Sequence, residues 1–156
     1  MLSISIPGFG DLRLRHLVLD YNGTLARDGR LLPGALPPLR ELASSLDLHV
    51  ITADTFGRAQ AELAGLPLAL TVLPINGQAI AKRAYVEGLD ARQVVAIGNG
   101  RNDQLMLQVA ALGIAVVQEE CAAAATVAGA DIVAPNITAA LELLSHPQRL
   151  VATLRS

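Results

Sequence analysis

Four side chains have the types and spacing to work as one chemical unit: Asp20, Thr52, Lys82 and Asp103. Asp20 closes the apolar run His16–Asp20 and leads into Tyr21-Asn22-Gly23-Thr24-Leu25. Thr52 closes Leu48–Thr52 and leads into Ala53-Asp54. Asp103 ends the loop Gly98-Asn99-Gly100-Arg101-Asn102-Asp103, which follows the run Gln93–Ile97. Lys82 is the sole lysine among 12 basic residues. The compact, flexible charge of an ammonium suits an oxyanion site where the fork of a guanidinium is unwanted. A carboxylate, a hydroxyl, an ammonium and a second carboxylate around one crevice are the parts needed for phosphoryl transfer to an aspartate. Asp20 is then the nucleophile, and Thr52 and Lys82 hold the phosphoryl oxygens. Mg²⁺ is held by Asp20, a backbone carbonyl and the 98–103 loop. Gly23 and Gly100 let the backbone approach the phosphate closely.

Such a crevice needs a rigid frame. Residues 2–6 and 11–15 alternate around the turn residues Pro7-Gly8-Phe9-Gly10, which predicts a hairpin. Apolar runs of strand length follow at 16–20, 48–52, 68–73, 93–97, 113–117 and 131–133. Helical patterns are expected at about 34–46, 56–64, 77–88, 102–111, 119–129 and 137–144. Near-continuous apolar strands joined by helices imply an α/β fold, a doubly wound and mainly parallel sheet covered on both faces. In such sheets ligands bind beyond the carboxyl ends of the strands, where Asp20, Thr52 and the 98–103 loop fall. The 156 residues suffice for one domain, 1–156, with one core.

The four segments also carry a resemblance. LVLDYNGTL resembles the first motif of the haloacid dehalogenase-like superfamily, VITAD the second, Lys82 the third and AIGNGRND the fourth. The details are most similar to the phosphorylation domain of P-type ATPases, since Lys82 precedes Val86-Glu87 by that domain's spacing. The pattern spans residues 16–103. It implies a Rossmann-like three-layer sandwich and Mg²⁺-dependent phosphohydrolase or phosphotransferase activity through an aspartyl-phosphate at Asp20. Gly23, Thr52, Ala53, Lys82 and Asn102 would bind the phosphate, and Asp20, Asn22, Asn99 and Asp103 the metal. The stretches from Leu25 to Thr52 and from Thr52 to Lys82 are too short for a cap domain. An uncapped site needs a large substrate or a neighbouring subunit to exclude water, and a homo-oligomer is expected.

Two residues depart from the pattern. Asn22 stands where hydrolytic members carry an acid/base aspartate, and an amide cannot shuttle a proton. Asn99 stands where the superfamily usually has an aspartate on or near the metal. Turnover is therefore expected to be slow. The alternative is a catalytically weak protein that binds phosphate or a partner protein and regulates it. A two-component receiver domain also uses Asp, Thr and Lys, but its acceptor is on the third strand, whereas Asp20 ends the first strand after the hairpin. Arg101 is a candidate substrate contact. His49 reads as a packed or hydrogen-bonded strand residue and Cys121 as a small helix residue.

Composition excludes other classes. With 52% hydrophobic and 17% charged residues and a net charge of −2, neither disorder nor a nucleic-acid partner is expected. One cysteine gives no internal disulfide. Neither a signal peptide nor an apolar stretch of about 18 residues is present, so a cytoplasmic protein away from membranes is expected, with a phosphorylated small molecule or protein as substrate.

Overall fold

The computed structural model describes residues 1–54 and 57–156. The antiparallel hairpin pairs β1 (Leu2–Ile6) with β2 (Gly10–Leu14), Leu2 opposite Leu14 and Ile6 opposite Gly10. Its alternation buries Ile4, Ile6, Leu12 and Leu14 on one face. The main sheet contains β3 (His16–Asp20), β6 (Asp47–Thr52), β7 (Ala69–Val72), β8 (Val94–Gly98), β9 (Leu112–Val116) and β10 (Ile132–Ala134). All its pairings are parallel, in the order β10-β9-β8-β3-β6-β7. The chain moves outward from β3 through β6 to β7, then crosses back to the other side of β3 with β8. The order reverses at β3, and the crevice at its carboxyl end is where such a fold places a ligand.

Helices cover both faces. On one lie the hairpin, α1 (Leu36–Leu42), α6 (Ile137–Ser145) and α7 (Pro147–Leu154), packed with Leu17, Leu19 and Ile97. On the other lie α3 (Gln78–Gly88), α4 (Gln104–Val109) and α5 (Ala124–Ala128), packed with Val18, Ile51 and Ala96. This is the expected doubly wound α/β sandwich, and among the described residues no cap is inserted.

The patterns at 77–88 and 137–144 form α3 and α6 to within a residue, whereas the other four helices are shorter than their sequence patterns. The pattern at 34–46 becomes a 3₁₀ turn, Pro33–Ala35, and then α1. Arg101–Asp103 is likewise a 3₁₀ turn ahead of α4. Of the pattern at 56–64 only α2 (Ala59–Glu62) forms, and residue 56 lies outside the described residues. The pattern at 119–129 yields only α5. Gln118 is held as a clamp, donating to the carbonyls of Gly23 and Thr24 and accepting from Ile137 N. Cys121 then turns at φ 59, exposed and outside any helix. Two elements were not expected: α7, which Pro147 starts, and a hairpin of β4 (Ala26–Arg27) and β5 (Arg30–Leu31). His49 is hydrogen-bonded as expected, to Tyr85 at 3.0 Å and His16 at 3.1 Å. No helix among the described residues is long and apolar enough to cross a membrane.

Candidate active site

The carboxyl ends of β3, β6 and β8 enclose a crevice of about 170 Å³. Asp20, Asn22, Thr52, Ala53, Asn99 and Asn102 line it, with Gln78 and Gly100. Lys82 reaches Asp20 from α3, beneath the crevice. Positions 78, 82 and 86 are four apart and share one helix face, and that face turns Lys82 and Val86 inward.

The Lys82 ammonium is buried and donates to Asp20 Oδ1 at 2.7 Å, Asp103 Oδ1 at 2.6 Å and Asn102 Oδ1 at 3.4 Å. All three of its donors are occupied. Lys82, expected to hold a phosphoryl oxygen, can do so only if that oxygen displaces one of these bonds.

Asp103 also differs from expectation. It is wholly buried, and its second oxygen accepts from the backbone N–H groups of Asn99 and Gly100 at 3.0 and 2.8 Å. With both oxygens engaged inside the protein it braces the 98–103 loop and Lys82, and it does not line the crevice. Gly98 is needed beneath it, since a Cβ there would lie 2.5 Å from the Asp103 carboxyl carbon.

Two carboxylates share one ammonium out of water, so the cluster is electrostatically unbalanced. Burial pushes Asp20 up to about 7, the Asp103 charge adds to this and Lys82 opposes it. Burial also disfavours the Lys82 ammonium, but the two carboxylates outweigh that and hold its pKa above the usual lysine value.

The loop after β3 is shaped by Gly23 at φ 80. A Cβ there would collide with the Asn99 amide and lie 2.7 Å from Glu120 Oε2. Thr24 Oγ1 sits 3.3 Å from both Asp20 Oδ2 and Asn99 Oδ1 and links the two strand ends. Thr24 belongs to the quoted motif but was not singled out. Gln78, which accepts from Asn102 Nδ2 at 2.7 Å, was also missed, as was the Gln118 clamp. Helical spacing from Lys82 points to Gln78, whereas nothing in the sequence marks Gln118. Thr52 is buried, with Oγ1 accepting from Asp54 N at 2.9 Å, which leaves its hydroxyl proton for another partner. Asn99 Nδ2 donates to Cys121 O at 2.9 Å, so its oxygen is the side facing Thr24.

The buried Asn22 Oδ1 has no hydrogen-bond partner among the described residues. A buried acceptor left unpaired costs about 1–3 kcal/mol, and here it lines the crevice beside Asp20. Together with the Asp20 carboxylate and Asn99 Oδ1 it makes a set of oxygen donors that fits a hard divalent cation. The set is poor in charge. No three His, Cys, Asp or Glu side chains among the described residues form a metal site.

Comparison with known proteins agrees with the motifs and the fold. A family model described as haloacid dehalogenase-like hydrolase matches residues 75–136. An uncharacterized protein of Methanocaldococcus jannaschii is 43% identical over 84 residues, which are 51% of this chain and 90% of that protein. Among solved structures, the 3-deoxy-D-manno-octulosonate 8-phosphate phosphatase of Moraxella catarrhalis, in complex with magnesium, phosphate and 3-deoxy-D-manno-octulosonate, is similar with a TM-score of 0.70 and 16% identity. That match covers 92% of this chain and 94% of that one. The cobalt-bound deoxy-D-mannose-octulosonate 8-phosphate phosphatase of Haemophilus influenzae is similar with a TM-score of 0.66 and 13% identity, covering 92% and 94%. At these identities the structural likeness is one of fold, while the motifs, the family model and the M. jannaschii relative bear on descent. This chain belongs to the haloacid dehalogenase-like hydrolase family.

Proposed function

We propose that the protein is a slow phosphohydrolase or phosphotransferase that works through an aspartyl-phosphate, an acyl phosphate formed on Asp20. The observation that carries this is the buried Asp20–Lys82–Asp103 cluster beneath an open crevice at the carboxyl edge of the sheet. Lys82 pins Asp20 Oδ1 at 2.7 Å. Oδ2, which Thr24 contacts at 3.3 Å and which makes no bond to Lys82, is then the attacking oxygen. It bonds to phosphorus as the bond to the leaving oxygen breaks. The free Thr52 hydroxyl proton, the second Asn102 Nδ2 proton and the Lys82 ammonium, which gives up its 3.4 Å bond to Asn102 Oδ1, meet the phosphoryl oxygens. Asp20, Asn22 and Asn99 would hold a divalent cation, with Mg²⁺ suited to the oxygen set, and such an ion would neutralise charge on the transferring group.

Asn22 lines the crevice where an acid/base group would serve, and its amide neither gives nor takes a proton. The leaving oxygen takes its proton from water, which suits good leaving groups, and the acyl phosphate on Asp20 waits for an unassisted water. The threonine at this position in P-type ATPases resembles the same device. The amides of Asn22 and Asn99 favour one second reading, a catalytically weak phosphate-binding protein that regulates a partner. A Mg²⁺-supplemented screen of phosphomonoesters, with Asp20→Asn as control, tests the proposal. Slow turnover that Asp20→Asn abolishes is expected, and no turnover by either protein would leave the regulatory reading.

A further inference from the structure

A second and larger groove, about 580 Å³, opens beside the Asp20 crevice. The two share Gln78 and Asn102, whose side chains are hydrogen-bonded to each other at 2.7 Å and form the wall between them. A ligand whose phosphate sits over Asp20 must extend its organic part somewhere, and this groove adjoins the phosphate position. Its volume is that of a metabolite site. Ile75, Ala79 and Leu105 give it apolar surface, and Ile75 is 80% exposed.

Among the described residues lining the groove, Arg101 is the one that carries a charge. It is exposed and pairs with no carboxylate among the described residues. Its place matters because the cluster below carries two carboxylates against one ammonium. A phosphate approaching that excess negative charge is repelled, and a cation at the mouth offsets this. A guanidinium also offers paired donors to a planar or tetrahedral oxyanion, which an exposed hydroxyl or amide does not.

We infer that this groove is the leaving-group site, and that it selects phosphomonoesters whose organic part bears a second oxyanion, read by Arg101, with its carbon skeleton against Ile75, Ala79 and Leu105. The inference rests on the reading of Asp20 as phosphoryl acceptor and names the substrate class of that site. A hydrogen-bonded guanidinium–oxyanion contact at an open site is expected to be worth about tenfold in affinity.

The test is calorimetric titration of Asp20→Asn protein, with Mg²⁺, using pairs that differ only in the second group. Two pairs carry a carboxylate against a hydroxymethyl group: 3-phosphoglycerate with glycerol 3-phosphate, and 6-phosphogluconate with glucitol 6-phosphate. A third carries a second phosphate: fructose 1,6-bisphosphate with fructose 6-phosphate. The pair that shows the preference identifies the oxyanion. At least one doubly anionic member is expected to bind about tenfold more tightly than its match. Adding Arg101→Gln should bring that ratio to about one, and Arg101→Lys should keep part of it. No binding by any member, ratios within twofold in every pair, or a preference that survives Arg101→Gln would overturn the inference. Phosphate transfer to Asp20 is measured separately in the unaltered chain. A binding preference without transfer removes the phosphoryl-acceptor reading and keeps the groove's selectivity, whereas transfer without a preference does the reverse.

Discussion

Replacing Asp20 by asparagine should make the protein more stable while removing the phosphoryl acceptor. Asp20 and Asp103 are both buried against one ammonium, at 2.7 and 2.6 Å, so ionised Asp20 leaves the cluster with a net negative charge out of water. Burial moves Asp20 from 3.8 up to about 7. At about 1.4 kcal/mol per pH unit, that rise bounds the penalty of ionised Asp20 at about 4 kcal/mol. Asparagine copies the neutral carboxyl imperfectly, so a gain of about 1–3 kcal/mol is expected at pH 8. The sign with pH follows from linkage. Below about pH 4 the carboxyl is protonated both folded and unfolded. Between about 4 and 7 the folded chain keeps a proton that the unfolded chain has released, so the unaltered protein loses stability as pH rises. The advantage of Asp20→Asn should therefore be near zero at pH 4 and full by pH 8. Urea denaturation with a chelator present, at both pH values, measures it. An Asp20→Asn protein less stable than the parent at pH 8, or an advantage independent of pH, would refute the reasoning.

Other changes have different signs. Lys82→Met leaves two buried carboxylates without a cation and should cost about 3–5 kcal/mol, read from the same denaturation curves. Gly23→Ala forces a Cβ into Asn99 and Glu120 at a backbone φ of 80 and should abolish phosphate transfer, checked by an activity assay on protein whose circular dichroism is unchanged. Asn22→Asp supplies a group that can accept a proton from water, and should raise steady-state phosphatase turnover about tenfold or more. Mass spectrometry of residues 16–27 must accompany that assay, since Asn22-Gly23 can deamidate. Unchanged turnover in verified protein would favour the regulatory reading.

The sheet was legible because its strands are short runs buried on both sides, such as Val94-Val95-Ala96-Ile97, and such runs stand out from their amphipathic neighbours. The positions that meet at the crevice were legible because β3, β6 and β8 end there. That Lys82 comes to Asp20 was legible, but its bond to Asp103 and the inward turn of Asp103 were not. Asp103 turns inward because the backbone of Asn99 and Gly100 offers two N–H groups to one oxygen, a property of the loop's shape and not of its composition. Residues 119–129 look helical because alanine favours helix anywhere, yet Gln118 is bound to three backbone groups across the fold and its neighbours follow it. The hairpin of β4 and β5 did carry a signal. Asp28 and Gly29 have φ of 52 and 77, the conformation that an Asp-Gly pair adopts between two short strands.

The most direct measurement is where phosphate goes when the chain meets a phosphoryl donor with a good leaving group, such as acetyl phosphate with Mg²⁺. Rapid acid quench followed by peptide mass spectrometry should find one acid-stable, base-labile phosphate on the peptide containing Asp20, absent from Asp20→Asn and longer-lived than in Asn22→Asp. A phosphate on another residue, or none while the donor is consumed, would contradict an aspartyl-phosphate at Asp20.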